Sequence, residues 1–421
     1  MTKAPSLGRP FGSKIGVCQL TDGSGGEIIM AQKAGKKAAP ARHTGDGSKS
    51  TTGRITAKHP PTTPNWGVRH ARSTPPVARA FEAKALLALP ELPQPDRGQA
   101  INLGIIAGTD GPTGWLGVGA TDLCEIAPSG QVALAGDTFP GNCCGCGPGC
   151  PSMGLHVKPG TLNSNTIQFD RAFGQGGTLY AEPPPHVDHG NPSQLPAGTI
   201  RVFGIDYALV TRTVDLQPID SRLVRINPDA GYWPTVPGSC RGADWQWGNQ
   251  TQISGCQAPD GWVYIVADGF ARDHKVVLYH CRAETFENRD TWWAWARVGE
   301  GPDWAWDQPG VPPTPLNVYN NDVFGELSLR IIEDKFVLSA FNATTGNIEV
   351  RVTDDVTQVL ASPDRTPVTV VATQSPDSVP NNYGGYIVPG STLDQALILV
   401  SRWSPPNYPY NVQEFVVNLN R

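Results

Sequence analysis

Hydrophobic positions in this chain recur mostly every second residue, in short runs that end on a small polar or acidic residue. QVALAGDTF (131–139), TIRVFGIDYALVTRTV (199–214) and WVYIVADGFARDHKVVLYHC (262–281) show the pattern. So do LSLRIIEDKFVLSAFNATTGNIEVRV (327–352) and YGGYIVPGSTLDQALILVSRWSPPNYPYN (383–411). Gly, Pro, Asn and Asp break the runs, as expected of antiparallel strands joined by turns. Five comparable units predict radial repetition, an all-β five-bladed β-propeller. Blade one would hold TDLCEI and QVALAGDTF, and the others would lie around 198–226, 251–283, 325–352 and 384–419. Two long insertions, 140–197 and 285–320, interrupt the rhythm and read as functional rims. A helical period occurs once, in VARAFEAKALLAL (77–89), where Val77, Phe81, Leu86 and Leu89 form a stripe that Pro90 ends.

Composition sharpens this division. Charged residues are 17%, hydrophobic ones 39%, with 47 glycines and 40 prolines, a mix that suits a loop-rich β protein and excludes a helical bundle. The net charge of −5 hides an asymmetry: residues 1–84 carry 14 Lys and Arg against 4 Asp and Glu, the remainder 19 against 34. The expected division is therefore a basic extension over 1–98, holding one short helix and a linker, followed by the propeller over 99–421. A basic arm on an acidic body reads as an electrostatic attachment segment. Nucleic acid is not the expected partner, because Trp66 is the arm's only tryptophan and no binding motif is present. No apolar run of about 18 residues predicts a membrane span. MTKAPSLGRPFGSK lacks the apolar core of a signal peptide, which predicts a route outward other than general secretion, such as a virus particle.

Candidate chemistry centres on carboxylates. Glycoside cleavage needs two carboxyl groups flanking one bond, and a propeller can aim such groups from different blades into one axial pocket. Asp122 and Glu326 would begin innermost strands, while Asp137 and Asp268 end theirs in GDTF and ADGF. Each alone is also ordinary strand-end turn chemistry. Tryptophans crowd residues 233–306, where packing between blades competes with stacking on sugar rings. Trp247, Tyr383, Tyr386 and Trp403 are the aromatic substrate-binding candidates, with Asp268 beside them. Cys143, Cys144, Cys146 and Cys150 cluster in NCCGCGPGC. Disulfides stapling a loop, or zinc, would explain them, although the spacing matches no standard zinc motif. Cys240 and Cys256 bracket a short loop and are a candidate pair. His186, Asp188 and His189 in HVDHG read as a solvated loop cluster. There is no phosphate loop, dinucleotide fingerprint or nucleophile elbow, and neither a cofactor nor a resident metal is expected.

TDLCEIAPSGQVALAGDTF, the GELSLR…FVLSAFN…IEVRV block and YGGYIVPGS…LVSRW…NYPYNVQEF together resemble the 4185-type domain of unknown function. That family includes endo-D-arabinofuranases of glycoside hydrolase family 183, and the resemblance covers roughly residues 101–421. It implies a five-bladed propeller that cuts D-arabinan of mycobacterial arabinogalactan or lipoarabinomannan. Asp122 and Asp137 fall on the family's TDL and GDTF positions as the implied catalytic pair. Glu326, on the GEL position, is a third acid. The Cys-rich insertion departs from the family and bears on whether activity is retained. With the basic extension, the resemblance points to a minor tail protein at a phage tail tip. Residues 1–98 would contact other tail proteins in an oligomeric assembly while the propeller meets the envelope. A carbohydrate-binding receptor protein or a structural tail component on the same fold are the alternatives.

Overall fold

A computed structural model describes residues 92–106, 123–138, 150–163, 167–174, 179–182, 184–298, 304–306, 311–403 and 411–420. The expected 77–89 helix, the basic arm and Cys143, Cys144 and Cys146 lie outside them. The all-β expectation holds, as does the five-bladed one. The chain opens with β1 (Ala100–Ile105) and proceeds to blade one, formed by β2 (Leu123–Ile126), β3 (Val132–Thr138), β4 (Cys150–Val157) and β5 (Phe169–Phe173). Blade two is β6 (Pro192–Val202), β7 (Ile205–Val214), β8 (Gln217–Arg225) and β9 (Arg241–Gly242). Blade three is β10 (Gln252–Gln257), β11 (Trp262–Asp268), β12 (Val277–Arg282) and β13 (Trp293–Ala294), followed by a hairpin of β14 (Ala296–Arg297) and β15 (Trp304–Ala305). Blade four is β16 (Phe324–Ile332), β17 (Lys335–Asn342), β18 (Asn347–Thr353) and β19 (Val368–Ala372). Blade five takes β20 (Asn382–Ile387), β21 (Ala396–Arg402) and β22 (Asn411–Val417), and β1 completes it.

The ring therefore closes with strands from distant parts of the sequence. β1 runs antiparallel to β22, with Ala100 opposite Val417 and Ile105 opposite Gln413. β1 thereby covers the β22 edge and becomes the outermost strand of blade five. The two insertions expected from the sequence prove to be partly structural. Residues 140–197 supply β4 and β5, and 285–320 supply β13, the outermost strand of blade three. Pro151, Gly154 and neighbouring Cys and Pro residues interrupt the period-2 signal there, although β4 is almost wholly buried.

Five hydrophobic clusters occupy the five interfaces between neighbouring blades. Val132 and Leu134 meet Val210 and Trp233 between blades one and two, and Leu209 and Tyr207 meet Ile265 and Tyr279 between two and three. Val266 meets Leu329 between three and four, Phe341 and Val350 meet Ile398 between four and five, and Leu399 and Val412 meet Ala135 and Leu155 across the closure. Each sheet thus buries both faces: on β21, Leu397 and Leu399 turn to blade one, while Ile398 and Val400 turn to blade four. That explains why ALILV reads as a continuous apolar run rather than an alternating one. Trp233 and Trp292 are core residues, their indole Nε1 groups donating to the Asn227 and Phe286 carbonyls at 3.0 and 2.9 Å.

Inner strands also bind one another through polar side chains. Arg330 Nη2 on β16 donates to Glu125 on β2 at 2.7 Å and to Thr199 on β6 at 2.9 Å. Thr199 in turn donates to Glu125 at 2.8 Å, and the Leu329 amide donates to Ser254 on β10 at 2.8 Å. A buried ion pair is weak evidence for stability and serves better to fix geometry. Here it ties four blades together around the axis.

Candidate active site at the axial mouth

Inner strands all start at one end of the ring, and second strands finish there. At this end three inner strands bulge. On β16, Gly325 pairs with Phe341 and Ser328 with Ser339, so β16 carries one residue more than its partner. β6 does the same between Pro196 and Thr199, and β20 between Asn382 and Gly384. Bulges re-aim side chains and recur beside functional sites. The extra length in β16 falls at Glu326, which adopts φ +46° inside a strand. Gln246, Trp247, Arg272 and Asn381 have positive φ in segments at this same end. The other non-glycine residues with positive φ (Phe203, Asp215, Leu216, Glu333 and Asp334) sit in two-residue hairpin turns, where that conformation is required. Left-handed backbone outside such turns costs about 1–2 kcal/mol per residue and collects at functional sites.

Glu326 is bound by Arg272, which arrives on the loop following β11. Arg272 Nε donates to Glu326 Oε2 at 2.9 Å and Nη2 donates to Oε1, a bidentate pair. The guanidinium also lies 5.3 Å from the centre of the Phe341 ring and 5.8 Å from that of Tyr383, so one arginine joins blades three, four and five. It passes so close to Gly325 that a β-carbon there would stand 2.8 Å from Nε.

Asp268, the last residue of β11, is fully buried, and neither carboxylate oxygen has a hydrogen-bond partner among the described residues. Burial, then the nearby Glu326 charge, pushes its carboxyl well above the usual carboxylate range, with Arg272 opposing. Glu326 is also raised by burial, again against Arg272. The mouth therefore holds a buried carboxyl without a hydrogen-bond partner among the described residues beside a second carboxyl bound by arginine, both raised by burial. Two carboxyl groups in unlike surroundings are what general acid–base chemistry draws on.

The remaining sequence candidates distribute as follows. Asp122 lies outside the described residues. Asp137 lies on β3, at the end where Asp268 ends β11, but its side chain lies outside what is described. Trp247 is 45% exposed in the segment leading to β10. That segment packs on the Arg272 loop, since a β-carbon on Gly248 would meet His274 at 2.9 Å. Tyr383 faces Arg272, whereas Tyr386 is buried between blades one and five. Trp403 is half-buried at the end of β21, its amide donating to the Asn381 carbonyl at 3.1 Å. Cys150 is not part of an exposed loop: it is buried in β4, its Sγ donating to the Ser152 carbonyl at 3.1 Å. Cys240 and Cys256 do not pair. Cys240 is an exposed thiol beside Arg222, whereas Cys256 is buried on β10, where desolvation pushes it up to about 12. His186, Asp188 and His189 lie in a loop, and the described residues contain no cluster of three or more His, Cys, Asp or Glu able to hold a metal.

Arg272 was not among the sequence candidates. The available signal was a lone arginine shortly after ADG, in a loop that reads as turn chemistry. At the opposite end of the axis lies a separate cavity of about 340 Å³, lined in part by Arg201, Gln257, Arg330 and Ser391.

A five-bladed propeller with an acid–arginine–acid cluster at its mouth is the class that fold and site define. The family model described as "Domain of unknown function (DUF4185)" matches residues 108–415, and the chain belongs to that family. A protein of Mycolicibacterium smegmatis, described as an uncharacterized 35.9 kDa protein in the asd 3′ region, is 38% identical over 342 residues, covering 76% of this chain and 98% of that protein. Among solved structures, a putative hydrolase from Bacteroides ovatus superposes with a TM-score of 0.50 at 11% identity, covering 74% of this chain and 86% of the other. At that identity the likeness concerns the fold alone. An α-L-arabinofuranosidase from Podospora anserina gives a TM-score of 0.42 at 10% identity, over 76% and 96% of the two chains.

Proposed function

We propose that the chain is a glycoside hydrolase that cleaves within D-arabinan chains of mycobacterial cell-wall polysaccharide, with the axial mouth as its active site. The observation that carries this reading is the buried Asp268 carboxyl, without a hydrogen-bond partner among the described residues, near the Arg272-bound Glu326 at the end of the ring where three inner strands bulge. The resemblance of the GDTF, GEL and YGGYIVPGS segments to arabinan-cleaving enzymes supports the substrate. Trp247 and Tyr383 offer aromatic faces at the rim for sugar rings. Glu326, bound by Arg272 at the mouth, acts on substrate; Asp268, fully buried, acts through it as a positioning residue. A non-catalytic carbohydrate-binding role on the same fold draws on one feature, the engagement of both Glu326 oxygens by Arg272.

Incubation with mycobacterial arabinogalactan, followed by chromatography of released oligosaccharides, separates the two. Release by the wild type and its loss in Glu326→Gln and Asp137→Asn supports the hydrolase. Retention of the polysaccharide without release from any form supports the binding role. We further propose that the basic segment attaches the protein to a phage tail, since 14 Lys and Arg stand against 4 Asp and Glu in residues 1–84. Deleting residues 1–90 should leave a folded propeller missing from particles; normal incorporation of the truncated chain would refute the attachment role.

A further inference from the structure

Away from the mouth, a cleft of about 590 Å³ opens between the β14–β15 hairpin at the edge of blade three and the outer loops of blade four. Its size falls in the range of ligand pockets. Trp304 lies in one wall, its ring stacked on Trp295 at 5.7 Å and 20°, with the Arg297 guanidinium 5.6 Å from its centre. Tyr319, 38% exposed, belongs to the lining, and Arg351 donates to its hydroxyl at 3.4 Å. Blade four contributes the hydrogen-bonding side chains of Gln358, Ser362 and Arg365. Among the described residues, no lining side chain is a carboxylate and Arg365 has no ion-pair partner.

We infer that this cleft is a second, non-catalytic binding site for a glycan chain. Sugar rings present apolar C–H faces that suit tryptophan and tyrosine, and hydroxyl pairs that suit the forked donors of arginine. Among the described residues the lining holds no acid pair of the kind that glycoside cleavage needs. The wall that carries Tyr319 continues into β16 and hence to Glu326. A polymer held at the cleft is thus tethered to the same propeller that carries the mouth, and tethering raises its effective concentration there. The inference rests on the carbohydrate reading of the fold but not on catalysis at the mouth.

The test is affinity electrophoresis in gels containing mycobacterial arabinogalactan. Wild type, Trp304→Ala and Arg365→Ala are compared, and release of arabino-oligosaccharides from a short soluble arabinan fragment is measured in parallel. The inference predicts that the wild type is retarded and that both variants bind about tenfold more weakly, equivalent to about 1.4 kcal/mol. Cleavage of the short fragment should stay unchanged. Arg365 is exposed, so its variant remains informative if Trp304→Ala fails to fold. Equal retardation of all three proteins, or none of the wild type, overturns the inference. So does equal Arg365-dependent retardation by polyglutamate, because the cleft would then read charge alone. Loss of oligosaccharide release with retardation intact would count against the proposed hydrolase and leave the cleft standing.

Discussion

Burial pushes the carboxyl groups of both Asp268 and Glu326 upward, and the Arg272 guanidinium opposes this in each. Replacing Arg272 by methionine removes that opposition and should raise both carboxyl groups. If cleavage needs an ionised Glu326 and a protonated Asp268, the whole pH–rate profile of Arg272→Met should move to higher pH. An unshifted profile with a lower maximum would reduce Arg272 to a packing role. Asp268→Asn should flatten the alkaline limb, because that limb records loss of the Asp268 proton. A second buried acid makes a prediction about stability. Glu414 on β22 lies within the interface between blades one and five, without a hydrogen-bond partner among the described residues, and desolvation pushes it up to about 8. A carboxyl raised in the folded state favours folding at low pH and weakens it as pH climbs from about 4.5 toward 8. The cost at pH 7 is on the order of 3 kcal/mol. Glu414→Gln should therefore lose less thermal stability than the wild type as pH rises from 5 to 8, the Asp268 and Glu326 carboxyls contributing the same decline to both. Parallel declines in thermal scans would place that dependence elsewhere.

Elements differ in how plainly the sequence declares them. The runs YALVT, WVYIVAD, FVLSAF and ALILVS were legible because β-branched and aromatic residues fill both faces of strands buried on each side. The joining turns were less so: Phe203-Gly204, Asp215-Leu216 and Glu333-Asp334 take positive φ without the Asn-Gly or Asp-Gly pairs that usually mark such hairpins. β4, β5 and β13 were hidden within apparent insertions because Pro and Gly interrupt them or because they are too short to show a period. Bulges leave almost no trace in sequence, yet they shape the mouth. Gly198 illustrates the constraint. It takes φ +114° in the β6 bulge, and a β-carbon would stand 1.5 Å from the Ile253 carbonyl oxygen of blade three. Gly198→Ala must separate blades two and three locally, at a cost of roughly 2–4 kcal/mol from strain and lost packing. Denaturant unfolding should show this as a lower midpoint, whereas a midpoint within error of wild type would mean that the bulge relaxes freely.

At the scale of the whole molecule, function depends on closure, because the site joins the β11 loop, β16 and β20 from three blades. Sequence spacing says nothing of that convergence, which is why Glu326 and Tyr383 were legible as candidates separately and Arg272 was not. Closure depends in turn on β1, which covers β22 with Ile101 and Leu103 packed against the interface between blades one and five. Ile106 is buried in that same cluster, and its amide donates to the Val412 carbonyl at 3.0 Å. Two truncations separate the strand from the segment before it. Removing residues 1–91 leaves every β1 contact described above in place and should preserve a single cooperative transition. Removing residues 1–106 uncovers the β22 edge and deletes five paired positions. At about 1 kcal/mol for each lost hydrogen bond, before hydrophobic exposure, the loss is several kcal/mol. The shorter chain should melt at lower temperature, with blade five opening first, seen as early hydrogen exchange at Ile398, Val400 and Phe415. Identical melting of the two truncations would show that blade five stands on three strands and that the ring does not rely on its first strand for closure.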